Sequence, residues 1–213
     1  MANVDSPFGL RPVRHKSGAP YNGAANPYYI PASYGTALFV GDPVVRTGTS
    51  NTAAVKVPGG GTFGVGTLPE INKATAGDAN AVTGVIVAFM ALPNDLTKQY
   101  NPASTERVAL VADDPDLVFE IQADGAVPAA SMGLNAVFIY THSGSTATGL
   151  SGVELDTTSD APAADASNQM IIMRAVNRED NDTTLTHAKV EVLLNNHTEA
   201  QGRTANGDGS LGI

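Results

Sequence analysis

No stretch of this chain keeps a 3.6-residue apolar repeat for longer than about two turns. That excludes a helical body before any motif is considered. The 13 prolines and 22 glycines are spread along 213 residues and cut the chain into short segments. Between these breakers the apolar residues alternate with period two. Ala188, Val190, Val192 and Leu194 interleave with His187, Lys189, Glu191 and Leu193. Alternation of that kind gives a strand one core face and one solvent face, and it places His187 on the solvent side. Leu117, Phe119 and Ile121 alternate in the same way with Val118, Glu120 and Gln122. Residues 82–92 are apolar on both faces, as in a central, buried strand. Further strands are expected at 37–46, 53–57, 107–112, 135–140, 170–177 and 185–195. The connectors 58–61, 72–80, 93–105, 143–152 and 156–168 are rich in turn formers; the last is expected as a loop or a short helical turn. The fold class is therefore mainly β, an antiparallel β-barrel or β-sandwich.

The two ends differ from this body, which spans residues 35–195. Residues 1–34 hold prolines 7, 12, 20, 27 and 31 and four of the six tyrosines, Tyr21, Tyr28, Tyr29 and Tyr34. Proline at this density disfavours helices and central strands. The segment reads as an extended arm laid on its own domain or on a neighbouring subunit, and some 30 extended residues span up to about 100 Å. Residues 1–41 hold Arg11, Arg14 and Lys16 against Asp5 alone, a net charge of +2, which leaves −11 for the rest of the overall −9. On this reading Phe8, Tyr28 and Tyr29 are apolar anchors. Arg11 and Arg14 pair with carboxylates of a neighbour or of a larger surface. The alternative is that the arm completes its own domain's core. Residues 196–213 are polar and glycine-rich, and are expected to be a flexible tail or one ordered by a partner.

Candidate chemistry fails test by test. With no cysteine there is no disulfide, thiol nucleophile or thiolate metal site. Residues 59–64, GGGTFG, fit a dinucleotide-binding glycine pattern, but Gly66 and Pro69 follow where a phosphate-binding helix must begin. A glycine-rich hairpin or loop is expected instead. Asp113, Asp114 and Asp116 surround Pro115, a composition that suits a turn between strands. His15, His142, His187 and His197 are not spaced as a metal pair on a helix, and no serine-hydrolase elbow occurs. No catalytic, cofactor-binding or metal-binding residue is assigned, and no enzyme activity is expected. An acidic body argues against nucleic acid as a partner. No window approaches the ~20 apolar residues of a membrane span, and the start lacks a signal-peptide pattern. The expectation is a protein made and soluble in a host cytoplasm.

Residues 6–45, SPFGLRPVRHKSGAPYNGAANPYYIPASYGTALFVGDPVV, resemble the start of a group of small structural proteins of tailed bacteriophages, the capsid decoration or cement proteins. The resemblance runs to about residue 90, through TLPEINKATAGDANAVTGVIVAF. It implies a β-rich module on the outer surface of a virion capsid, bound to the major capsid protein at symmetry axes or between capsomers, with no cofactor and no active site. Charged residues make up 15% of the chain, against roughly 25% in typical soluble domains. So sparse a charge suits a surface covered by neighbours. A homo-oligomer is expected, a trimer rather than a dimer, since closed rings also remove exposed strand edges. The competing reading is a tail or baseplate protein that binds a host receptor or carbohydrate, with residues 143–152 as a binding tip.

Overall fold

The computed structural model describes residues 3–92 and 94–200. The described residues form fourteen strands. In chain order these are β1 (Arg11–His15), β2 (Asn26–Ile30), β3 (Pro43–Ser50), β4 (Val55–Val57), β5 (Gly61–Phe63), β6 (Pro69–Lys73) and β7 (Gly84–Phe89). They continue with β8 (Arg107–Ala112), β9 (Leu117–Gln122), β10 (Asn135–Ala136), β11 (Phe138–Ile139), β12 (Glu154–Leu155), β13 (Met170–Ala175) and β14 (Lys189–Leu194). A 3₁₀ turn at Ala129–Ser131 is the one helical element among the described residues. The protein is mainly β.

Five strands close into a barrel in the order β2-β6-β3-β7-β8, and five others form an open sheet in the order β1-β9-β14-β13-β10. Every pairing is antiparallel except β2 with β6. Tyr28, Ile30, Val44, Ile71, Ile86 and Val111 fill the barrel. Period two then turns Val85 of β7 and Ala112 of β8 outward. There they join Phe119, Ile121, Val190 and Val192 of the sheet in a second core. One barrel wall thus serves two cores. The glycine run at 59–64 lies in the β4–β5 hairpin, which packs over a small third cluster at Val55, Leu68 and Val108.

Residues 1–34 are not an arm outside the body. β1 is the edge strand of the sheet, against β9, and β2 closes the barrel between β8 and β6. The prolines are accommodated because each lies where no ladder donor is required. Pro12 is on an edge strand at a register shift. Pro27 is on the part of β2 that pairs only with β8, because β6 meets β2 at Tyr29 alone. The body also does not stop at residue 195. His197 bridges Val82, Thr198 donates to the Val82 carbonyl, and Glu199 meets Arg46 at 2.5 Å. The rest of the expected tail, 201–213, lies outside the described residues.

Three strand readings shift as well. β9 is buried on both faces, with Val118, Glu120 and Gln122 as covered as their neighbours. β7 is buried on both faces only over its first half, Gly84–Ile86. The last strand begins at Lys189, and His187 sits before it in a left-handed turn (φ 61°) rather than on a solvent face.

Candidate interaction site

The first candidate residues are those expected to reach a partner. Tyr28 does not reach one: it is 1% exposed inside the barrel. Its hydroxyl donates to Asp113 at 2.7 Å and accepts from Arg46 at 2.7 Å. Burial, above all, pushes its pKa well above the ordinary tyrosine value. Tyr29 faces outward and half-buried, with its hydroxyl on Glu106 at 3.0 Å. Burial, then that carboxylate, raises its pKa to about 12.

Arg11 and Arg14 find their carboxylates within the chain, not on a neighbour. Glu120 and Glu191 stand directly opposite each other in the β9–β14 register, an arrangement that repels unless neutralised. Arg11 and Arg178 hold Glu120 at 2.8 and 2.6 Å, while Arg14 and Arg174 hold Glu191 at 2.7 and 2.9 Å. Burial alone would raise the pKa of Glu191, but the hydrogen bonds from Arg174 and Arg14 outweigh it and hold it below the usual range. The arginines of the arm complete a charge pattern that the body strands leave unfinished. The acidic turn is also engaged: Asp113 accepts from Asn26 and Tyr28, and Asp114 pairs with His15 at 3.0 Å.

Phe8 leads to a site. Gly9 (φ +72°) and Gly41 (φ +93°) let two backbone segments touch. Leu10 N–H donates to the Gly41 carbonyl at 3.0 Å, and a Cβ on Gly41 would stand 2.5 Å from the Phe8 carbonyl oxygen. Val40 N–H donates to Gly149 and its carbonyl accepts from Ser151, which brings Leu150 alongside. The result is an apolar cleft of about 360 Å³ between Phe8, Leu10, Pro12, Tyr21, Val87 and Leu150. Leu150 remains 38% exposed at its rim. The Arg11 guanidinium lies 4.8 Å from the Phe8 ring centroid, and its side chain is 54% exposed. The cleft is lined by no carboxylate or imidazole, and the Tyr21 hydroxyl is bound to the Ala24 carbonyl. Its chemistry is that of a socket for an apolar side chain, with a cation–π pair at the lip.

Residues 143–152 are anchored at Gly144, Gly149 and Ser151, while residues 145–148 are exposed. A Cβ on Gly144 would stand 2.2 Å from the Phe39 ring, and the Ser151 hydroxyl donates to buried Asp42 at 2.6 Å. No protein-family model, curated protein or solved structure matches the chain. Among the described residues, no helix is long and apolar enough to cross a membrane.

Proposed function

We propose that this chain is a virion structural protein that binds the outer surface of a tailed-phage capsid and stabilises contacts between capsomers, with the cleft as its docking point. One observation carries the reading. The stretch that resembles decoration proteins, residues 6 to about 90, supplies every residue lining the cleft except Leu150. The occupant is an apolar side chain on an extended segment of the major capsid protein. Phe8 and Arg11 are of the residue types that dominate interface energetics.

The physical task is to resist outward pressure from packed DNA. A protein that bridges neighbouring capsomers adds buried area across each seam. Repetition over the shell, and a trimeric or other symmetric assembly, makes weak single contacts act together. The tail or baseplate reading takes residues 143–152 as a binding tip for a host receptor or carbohydrate. Gold labelling of virions with antibody to this chain separates the two. Label on the head supports the proposal, label on the tail supports the competitor, and unlabelled particles exclude both.

A further inference from the structure

Asp5, Glu154 and His187 are far apart in sequence, yet their ligand atoms lie within 4.8 Å of one another. From this convergence we infer a binding site for a single divalent transition-metal ion, zinc by preference. The site clips the N-terminal segment to the body, and it stands independently of the capsid reading.

The imidazole is the most telling member. His187 Nδ1 has essentially no exposed surface and no hydrogen-bond partner, and it points toward Asp5 Oδ1 at 3.6 Å. A buried imidazole nitrogen normally has a partner. His187 also holds a left-handed backbone (φ 61°), a conformation that a non-glycine residue keeps only where its surroundings enforce it. A metal ion beside Nδ1 would satisfy that nitrogen.

The carboxylates are arranged as ligands are. Glu154 is 1% exposed. Among the described residues, the side chains at ion-pairing distance are two imidazoles, His142 at 3.5 Å from Glu154 and His187 itself at 3.6 Å from Asp5; no lysine or arginine approaches either carboxylate. Two converging carboxylates, one of them buried, call for a compensating positive charge. Fully buried Gln122 orients both. Its amide donates to Glu154 Oε1 at 3.1 Å and to Asp5 Oδ1 at 3.2 Å, and its own oxygen accepts from Ser6 N–H at 3.2 Å. The Thr141 hydroxyl donates to the second Glu154 oxygen. Such outer hydrogen bonds are what aim metal ligands.

The donor set decides the ion. One imidazole and two carboxylates suit zinc or its first-row neighbours, whereas calcium and magnesium take oxygen ligands. Tetrahedral zinc with bonds of about 2.0–2.1 Å places its ligands roughly 3.4 Å apart. The Asp5–His187 separation of 3.6 Å is close to this. The wider separations, within 4.8 Å, close by movement of Asp5 and His187 toward Glu154, which Gln122 and Thr141 hold in place. A fourth position is left for water. Asn3 already donates to the carbonyls of Asp182 and Thr186, both at 2.8 Å. The ion therefore reinforces a contact between residues 3–6 and the loop that leads to β14.

The test uses the purified full chain, stripped with chelator and titrated with zinc, manganese or calcium. The expected result is one zinc per chain by elemental analysis after dialysis, a raised melting temperature, and no response to calcium. Asp5→Asn, at an exposed position, and His187→Gln should each lose stoichiometric zinc. Thr141→Val should weaken binding by roughly 10–100-fold. His15→Gln, in a separate ion pair, should retain one zinc per chain. Failure of zinc to bind the wild-type chain one to one, or one-to-one binding that survives both Asp5→Asn and His187→Gln, overturns the assignment. Neither result bears on where gold label falls on a virion.

Discussion

The barrel and the open sheet use the same N-terminal segment in opposite ways. The barrel is a closed ring around an apolar interior, and β2 is the stave that completes it. The sheet has two edges, and β1 is only one of them. Its second face carries the four-arginine, two-glutamate pattern instead of a core. A closed ring tolerates no missing member, because each strand satisfies two neighbours and walls off the interior. An edge strand adds one row of pairings. The segment 1–34 is thus indispensable where it is apolar, at Tyr28 and Ile30, and adjustable where it is charged, at Arg11 and Arg14.

Deleting residues 2–30 is the severest way to break that comparison. It removes β1 and the whole of β2, exposing the barrel interior at Ile71, Ile86 and Val111. The expected product has no cooperative thermal transition by circular dichroism. A folded, melting product would mean that the barrel closes without β2.

Gly41→Ala comes next and tests the seam between the regions. The substitution puts a Cβ 2.5 Å from a backbone carbonyl, at a φ of +93°. Strain of that kind costs about 1–3 kcal/mol, and the clash adds to it. A fall in the denaturant midpoint is expected. A change below about 0.5 kcal/mol would show that the Phe8–Leu10 segment is free to move away.

What the sequence discloses follows from how local each feature is. The core face of β14 is legible, since Ala188, Val190, Val192 and Leu194 are all buried. The glycine hairpin is legible because turn chemistry is local. β1 and β2 are not, because Pro12 and Pro27 disfavour strands except at unpaired positions, and pairing is a property of the assembled sheet. β6 has a single fully buried side chain, Ile71, among Pro69, Glu70, Asn72 and Lys73. Glu120 reads as a solvent-facing residue, but Arg11 and Arg178, 109 and 58 residues away, cover it. The cleft requires contact between Gly9 and Gly41, and the cluster at Asp5, Glu154 and His187 has no spacing to detect. In both, the informative distance lies across the fold.

Arg14→Ala sharpens the charged half of the comparison. The folded-state pKa of Glu191 is depressed below its usual value near 4.5. Its contribution is therefore fully present above about pH 4.5 and is lost as pH falls through the lower folded value. Removing one of its two arginine partners should cost about 1–2 kcal/mol near neutral pH, the scale of a charge-assisted hydrogen bond lost from a largely covered pair, with Arg174 still bound to Glu191. It should also flatten the acid limb of a stability-against-pH curve. An acid limb as steep as in the wild type would mean that Arg174 alone sets the titration.

Leu150→Asp should perturb the fold least and the proposed function most. Leu150 is the one residue lining the cleft that comes from beyond residue 90, and it is 38% exposed at the rim. Its backbone is fixed by the neighbouring Gly149 and Ser151 bonds to Val40, which the substitution leaves in place. Stability should change by no more than about 0.5 kcal/mol, as for surface sites away from special features. A carboxylate at the mouth of an apolar socket must be desolvated when the socket is filled, and that opposes docking. The variant should therefore melt like the wild type but compete poorly for undecorated shells in a sedimentation assay. A variant that competes equally well would move the docking point away from the cleft. One that also unfolds would show that the rim is part of the seam holding barrel and sheet together.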